Sequence, residues 1–203
     1  MHTWTYTLRR GHSADPSGGA CAMDAVNWLV HGRHGDQPEC ACPVIGRYVI
    51  GINDAMPDDQ RQRLLAFLPR IAGSRSAAHE QARAEILARG AVRVLAPIAL
   101  DAAGMHTEAA RLRALPADCS LHDAAEAARA AWVAAEAARA ALAAEAARAA
   151  MEAARAARAA SWDAALQLLS DALDAGPQGA PWSATQIEAG AAAYRAAGGL
   201  VPA

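Results

Sequence analysis

At 203 residues, with a formal charge of −2 and a pI near 6.4, the chain can bury a proper core in one domain or two small ones, and it lacks the basic surface that nucleic acid demands. No segment reaches 18 uninterrupted apolar residues, which argues against a membrane span, and all 19 basic residues are Arg, a bias of the kind a high-GC genome produces. The opening Met1-His2-Thr3-Trp4-Thr5-Tyr6 has neither the basic start nor the apolar run of a signal peptide, so a cytoplasmic location is expected, with the four Cys reduced or metal-bound instead of disulfide-linked.

In chain order, Thr3 to Leu8 alternates like a short strand with no evident partner strand, so it reads as an extended N-terminal arm. Gly11 to Gly19 is a loop, and a short helix follows from about Ala22 to Val30, with Met23, Val26, Leu29 and Val30 on one side. After a polar turn from His31 to Cys42, Pro43 opens a helix to about Ala55. Asn53 is suited to a left-handed turn, and Asp58 to the N-cap of a helix over Gln60 to Leu68 that Pro69 ends or kinks. A longer amphipathic helix is predicted from about Ser76 to Ala103, bent at Pro97, and another from His106 to Leu115, closed by Pro116. Trp162 to Asp174 is again amphipathic, Gly176-Pro177-Gln178-Gly179 breaks it, and Ser183 caps a last helix to about Ala197. The expected fold is all-α, a bundle of about seven or eight helices, divided into an N-terminal region at 1–118 and a long-helix region at 119–203, or continuous as one domain.

Between Leu121 and Ala160, 24 of 40 residues are Ala, and Ala-Ala-Glu-Ala-Ala-Arg-Ala-Ala recurs at 124, 134 and 143. High intrinsic propensity predicts one long helix. At about 100° per residue the Glu and Arg side chains cover most of the circumference and leave a sector of small residues, among them Ala128, Ala135, Leu142, Ala149 and Ala156, that reads as a packing seam. Each Glu has an Arg three residues on, a pattern of a solvated face. Trp132, Val133 and Met151 fall in the charged arc, where they need a cover. Forty helical residues would span roughly 60 Å, longer than the ~45 Å diameter of a compact chain this size. Either the helix breaks near Ser161, which could cap a new helix, and the chain covers itself, or those residues meet a second copy or a protein partner.

The one constellation with potential chemistry is Cys21, His31, His34, Cys40 and Cys42, with His12 and Asp36 nearby. Thiolates and imidazoles suit tetrahedral zinc, and Cys21, His34, Cys40 and Cys42 would make a ligand set. Against it, Cys40-Ala41-Cys42 lacks the two-residue spacer of a zinc turn, and the Cys can equally be small buried residues. A Cys21 or Cys40 nucleophile helped by His34 and Asp36 would also need an oxyanion site. Asp54, Asp58 and Asp59 read either as caps and turns or as an acidic functional patch.

The segments Gly18-Gly19-Ala20-Cys21-Ala22-Met23-Asp24-Ala25-Val26, Asp36-Gln37-Pro38-Glu39-Cys40-Ala41-Cys42-Pro43-Val44-Ile45, Asn53 to Asp59 with Arg61, and Leu68-Pro69-Arg70-Ile71-Ala72-Gly73 together resemble an uncharacterised family of bacteriophage, prophage and high-GC bacterial proteins with a long Ala/Arg-rich helix. The resemblance extends to about Ala160; the tail from Gly176 to Ala203 has no counterpart in it. It implies a mobile-element or host context and brings no activity, cofactor or catalytic residue. The resulting expectation is a non-enzymatic binding or structural protein acting through protein contacts, by homodimer or partner along the Ala-rich helix, without nucleic acid or membrane. The alternative is a small metalloprotein whose zinc is structural or, failing that, catalytic.

Overall fold

A computed structural model describes residues 7–11, 19–120, 122–123, 125–131 and 146–199, with the backbone alone for 146–158. The fold is all-α. Its elements are α1 (Ala22–His31), α2 (Pro43–Ala55), α3 (Asp58–Arg61), a 3₁₀ stretch (Gln62–Phe67), α4 (Leu68–Ala72), α5 (Ala77–Gly90), a π-helical turn (Ala91–Leu95), α6 (Ala96–Ala102), α7 (His106–Arg113), α8 (Ala146–Asp174) and α9 (Ala184–Ala196). Among the described residues no helix is long and apolar enough to cross a membrane. Met1–Ala84 with Leu169–Ala203 makes one compact unit and Glu85–Leu168 the other, so the divisions fall inside α5 and α8.

The first unit is built on α1, of which Ala22 to Leu29 are all buried. A helix apolar nearly all round must be enclosed, and α2, α4 and α9 enclose it. Only Val30 departs from the expected apolar side, at 41% exposure, because it sits one residue beyond the enclosed stretch. Gly32, at φ 64°, closes the helix by donating its N–H to the Trp28 carbonyl. Helix α9 approaches closely because Gly190 has no side chain: a Cβ there would lie 2.7 Å from the Leu29 Cα. Tyr194 of α9 is buried and meets Trp28 edge-on at 5.6 Å between centroids. The unmatched C-terminal segment is therefore a wall of this core.

Several local expectations hold: Pro43 opens α2, Ser183 caps α9, and there a full capping box forms with Gln186. Others need correction. Asn53 is not left-handed; it lies within α2, which runs on to Ala55 and is stopped by Met56, extended before Pro57. Pro57, not Asp58, occupies the cap of α3, and Pro69 opens α4 instead of ending a helix, since a first-turn N–H has no helical acceptor to lose. No break occurs at Ser161: α8 passes through it to Asp174. Ser costs a helix only about 0.5 kcal/mol, and with Ala159, Ala160 and Ala164 around it nothing forces a stop. The strand-like arm is described from Thr7, where Leu8 forms an isolated parallel bridge to Ala20.

In the second unit the run predicted to bend at Pro97 continues through the π turn into α6, with the Ala96 N–H bonded to the Ala91 carbonyl. The wider turn accommodates a ring that would otherwise press on the preceding turn. Leu100, Met105, Ala109, Leu112 and Ala131 form its core cluster. Arg89 and Arg93 donate to the carbonyls of Cys119 and Leu115, tying down the chain that follows α7. At the α6–α7 corner Arg113 and His106 both bond Asp101, Arg113 foremost, and hold its carboxyl below the usual range. Residues 125–131 of the Ala-rich segment are helical. Trp132, Val133 and the side chain of Met151 lie outside the described residues.

Candidate functional site

The loop from Gly32 to Cys42 is held by three side chains that are themselves buried: Asp24, Asn27 and Ser74. The Asp24 carboxylate accepts the Gly35 N–H at 3.2 Å, and Asn27 Nδ2 donates to the Gly35 carbonyl at 3.0 Å. Gly35 can take both bonds because its φ is 136°, a conformation open to glycine. At the far end the Cys42 N–H donates to Ser74 Oγ at 2.9 Å, while the Arg75 N–H donates to the Cys40 carbonyl at 3.1 Å. Pro38 is buried between these anchors.

The anchored loop, α1 and α2 enclose a pocket of about 230 Å³. Met23, Ala41, Cys42, Gly46 and Ile50 supply its apolar lining, and Asp36, Gln37, Glu39, Arg47 and Arg75 its polar one. Cys42, Gly46 and Ile50 follow one another four residues apart along α2, so they share a face, and the missing side chain of Gly46 leaves the hole. A Cβ on Gly46 would stand 3.2 Å from Met23 Cε. Glu39 is exposed and paired with Arg33 at 2.8 Å, which holds its carboxyl below the usual range. Neither Arg47 nor Arg75 forms an ion pair among the described residues.

The four residues considered for zinc are not gathered together. Cys21 caps α1, its Sγ accepting the Asp24 N–H at 3.4 Å, and burial, reinforced by the Asp24 charge, pushes its thiol up to about 12. Cys42 caps α2 and is buried. Cys40 is half-buried on the loop, and that burial raises its thiol also. His34 lies against α1, 3.7 Å from Asp24 and 6.4 Å from the Trp28 ring. Among the described residues no three His, Cys, Asp or Glu side chains converge to hold a metal. The carboxylate beside His34 is Asp24, not Asp36, and burial shifts the Cys21 and Cys40 thiols away from the thiolate that a nucleophile needs. Protein purified without a His-tag is expected to carry substoichiometric zinc by elemental analysis; one zinc per chain, lost on Cys40→Ser, would restore the metal reading.

Each acidic candidate has a hydrogen-bond or ion-pair partner within the chain. Asp54 accepts the Gly11 N–H at 2.8 Å, Asp58 pairs with the buried Arg61, and Asp59 takes Gln60 Nε2 at 3.0 Å, a bond that lowers its carboxyl. Asn53, fully buried, accepts the Ala22 N–H at 3.2 Å and donates to the Arg9 carbonyl at 3.0 Å. Gln62 exchanges two bonds with the main chain of Leu8, at 2.9 and 3.0 Å, as an opposing strand would. This cluster fastens the arm to the helices and so supplies the partner strand that the sequence lacks.

Sequence reasoning missed Arg47, Arg75, Gln37, Met23, Gly46 and Ile50. The available signal was the 42, 46, 50 stripe, with a glycine in mid-helix that has no turn to make. Comparison with protein-family models finds no match, and the same holds for searches of curated proteins and of solved structures.

Proposed function

We propose that this chain is a non-enzymatic helical binding protein that works through protein–protein contacts, with the pocket between the Gly35–Cys42 loop and α2 as a contact point. The observation that carries this reading is the anchoring of the loop at both ends by buried polar side chains. A surface ordered before its partner arrives loses little further entropy on binding. An apolar floor with a charged rim is also the make-up of a recognition pocket. The Ala-rich helix is a second surface in this reading, with Trp132, Val133 and Met151 as the residues expected to contact a partner or a second copy. The resemblance to phage and prophage proteins suggests a cytoplasmic partner encoded by a mobile element or its host.

A photo-crosslinking residue in place of Glu39, an exposed residue of the pocket rim, tests the pocket as a contact point. In lysate of the source organism it should yield a discrete protein adduct that excess parent chain competes away, whereas Ile50→Glu, which puts a charge on the pocket floor, should not compete. Equal competition by Ile50→Glu, or no adduct that the parent displaces, would reject the assignment.

A further inference from the structure

The rim chemistry narrows what the pocket receives, on the reading that it is a protein contact. At about 230 Å³ it falls below the roughly 300–1,000 Å³ of pockets for drug-sized ligands and matches a single residue better than a whole cofactor. Its floor of Met23, Gly46 and Ile50 accepts an aliphatic side chain, and Met adapts to the shape presented. Around it, Glu39 pairs with Arg33 and also feels the charge of Arg75, while neither Arg47 nor Arg75 lies within ion-pair distance of a carboxylate among the described residues. Guanidinium favours carboxylate through paired charge-assisted hydrogen bonds. Asp36 and Gln37, on the loop side, are acceptors suited to a main-chain N–H. An aliphatic side chain, a carboxylate and an adjacent N–H occur together at the last residue of a polypeptide.

We infer that the pocket captures the C-terminal residue of a partner protein, its aliphatic side chain on Met23 and Ile50 and its α-carboxylate on Arg47 and Arg75.

N-acetyl-leucine carries these three features and is the probe, added to the full chain labelled at its Met and Ile methyl groups and followed by NMR. Saturable shifts of the Met23 and Ile50 methyls are expected. N-acetyl-leucinamide, lacking the carboxylate, should bind about tenfold more weakly, and so should N-acetyl-leucine to the Arg47→Gln/Arg75→Gln double variant, a difference of about 1.4 kcal/mol. Both arginines are exposed, so the double variant should fold, which an unchanged methyl spectrum without probe would verify. Equal affinity of acid and amide, an undiminished response in the double variant, or no shift at either methyl would overturn the inference. Tighter binding of free leucine than of N-acetyl-leucine would also overturn it, since the site would then be one for a free amino acid. A competed protein adduct at Glu39 without any N-acetyl-leucine response would leave the contact role standing and remove the terminus alone.

Discussion

Replacing Arg83 by Met should lower stability by about 3–5 kcal/mol, seen as a fall in the urea midpoint at unchanged slope. Arg83 lies in α5 with none of its surface exposed, and no carboxylate accompanies it among the described residues. Its guanidinium is neutralised by main-chain dipoles instead. Nε donates to the Ala172 carbonyl at 3.1 Å, Nη2 to the Pro177 carbonyl at 2.8 Å, and Nη1 to the Ser74 carbonyl. Ala172 lies in the last turn of α8, where carbonyls have no helical donor and the helix end is negative. Met would fill much of the volume but leave three carbonyls without a donor, at about 1–3 kcal/mol each before relaxation. Arg83→Lys keeps the charge but not the planar fork that reaches three acceptors, so it should recover less than half the loss. A Met variant within about 1 kcal/mol of the parent would mean that water replaces the guanidinium.

The local chemistry was legible in the sequence, and the distant chemistry was not. Pro43 and Ser183 mark helix starts because their reasons lie within one turn: a missing N–H, and a hydroxyl facing the N–H three residues on. The errors came where a local signal was outweighed. Asn53-Asp54 has turn chemistry, yet Asn53 is held in α2 by bonds to Ala22 and Arg9, 31 and 44 residues away. Ser161 can cap a helix, but its Ala neighbours give the helix no reason to stop there. The role of Arg83 had no local signature at all, because its acceptors sit 9, 89 and 94 residues off and are backbone atoms, alike for every residue type. For the pocket, the loop was readable as a polar turn between two helices. Its rigidity depends on Ser74, 32 residues beyond Cys42, and no spacing rule links the two.

Gly179→Ala should cost about 2–4 kcal/mol, although neither Gly179 nor its neighbour across the contact, Gly73, has a positive φ. The reason is steric. A Cβ on Gly179 would lie 2.1 Å from the Pro69 carbonyl oxygen, and one on Gly73 would lie 2.2 Å from the Gly179 nitrogen. Two stretches of main chain touch here, and backbone cannot swing aside as a side-chain tip can. The segment would have to lift off α4, which breaks the bond from the Gly179 N–H to the Arg70 carbonyl at 3.2 Å. It would also loosen Arg70 from Gln178 and Arg83 from Pro177. Because either alanine opens the same contact, Gly73→Ala together with Gly179→Ala should cost clearly less than the sum of the single changes. Gly51→Ala is the control: it lies exposed within α2 with nothing within 4 Å of the added carbon, and it should gain about 0.5–1 kcal/mol from helix propensity. Differential scanning calorimetry of the four variants should order them with Gly51→Ala above the parent and the double variant lowest. If Gly179→Ala melts with the parent, or if the two alanines prove additive, then the C-terminal segment does not cross α4 by main-chain contact.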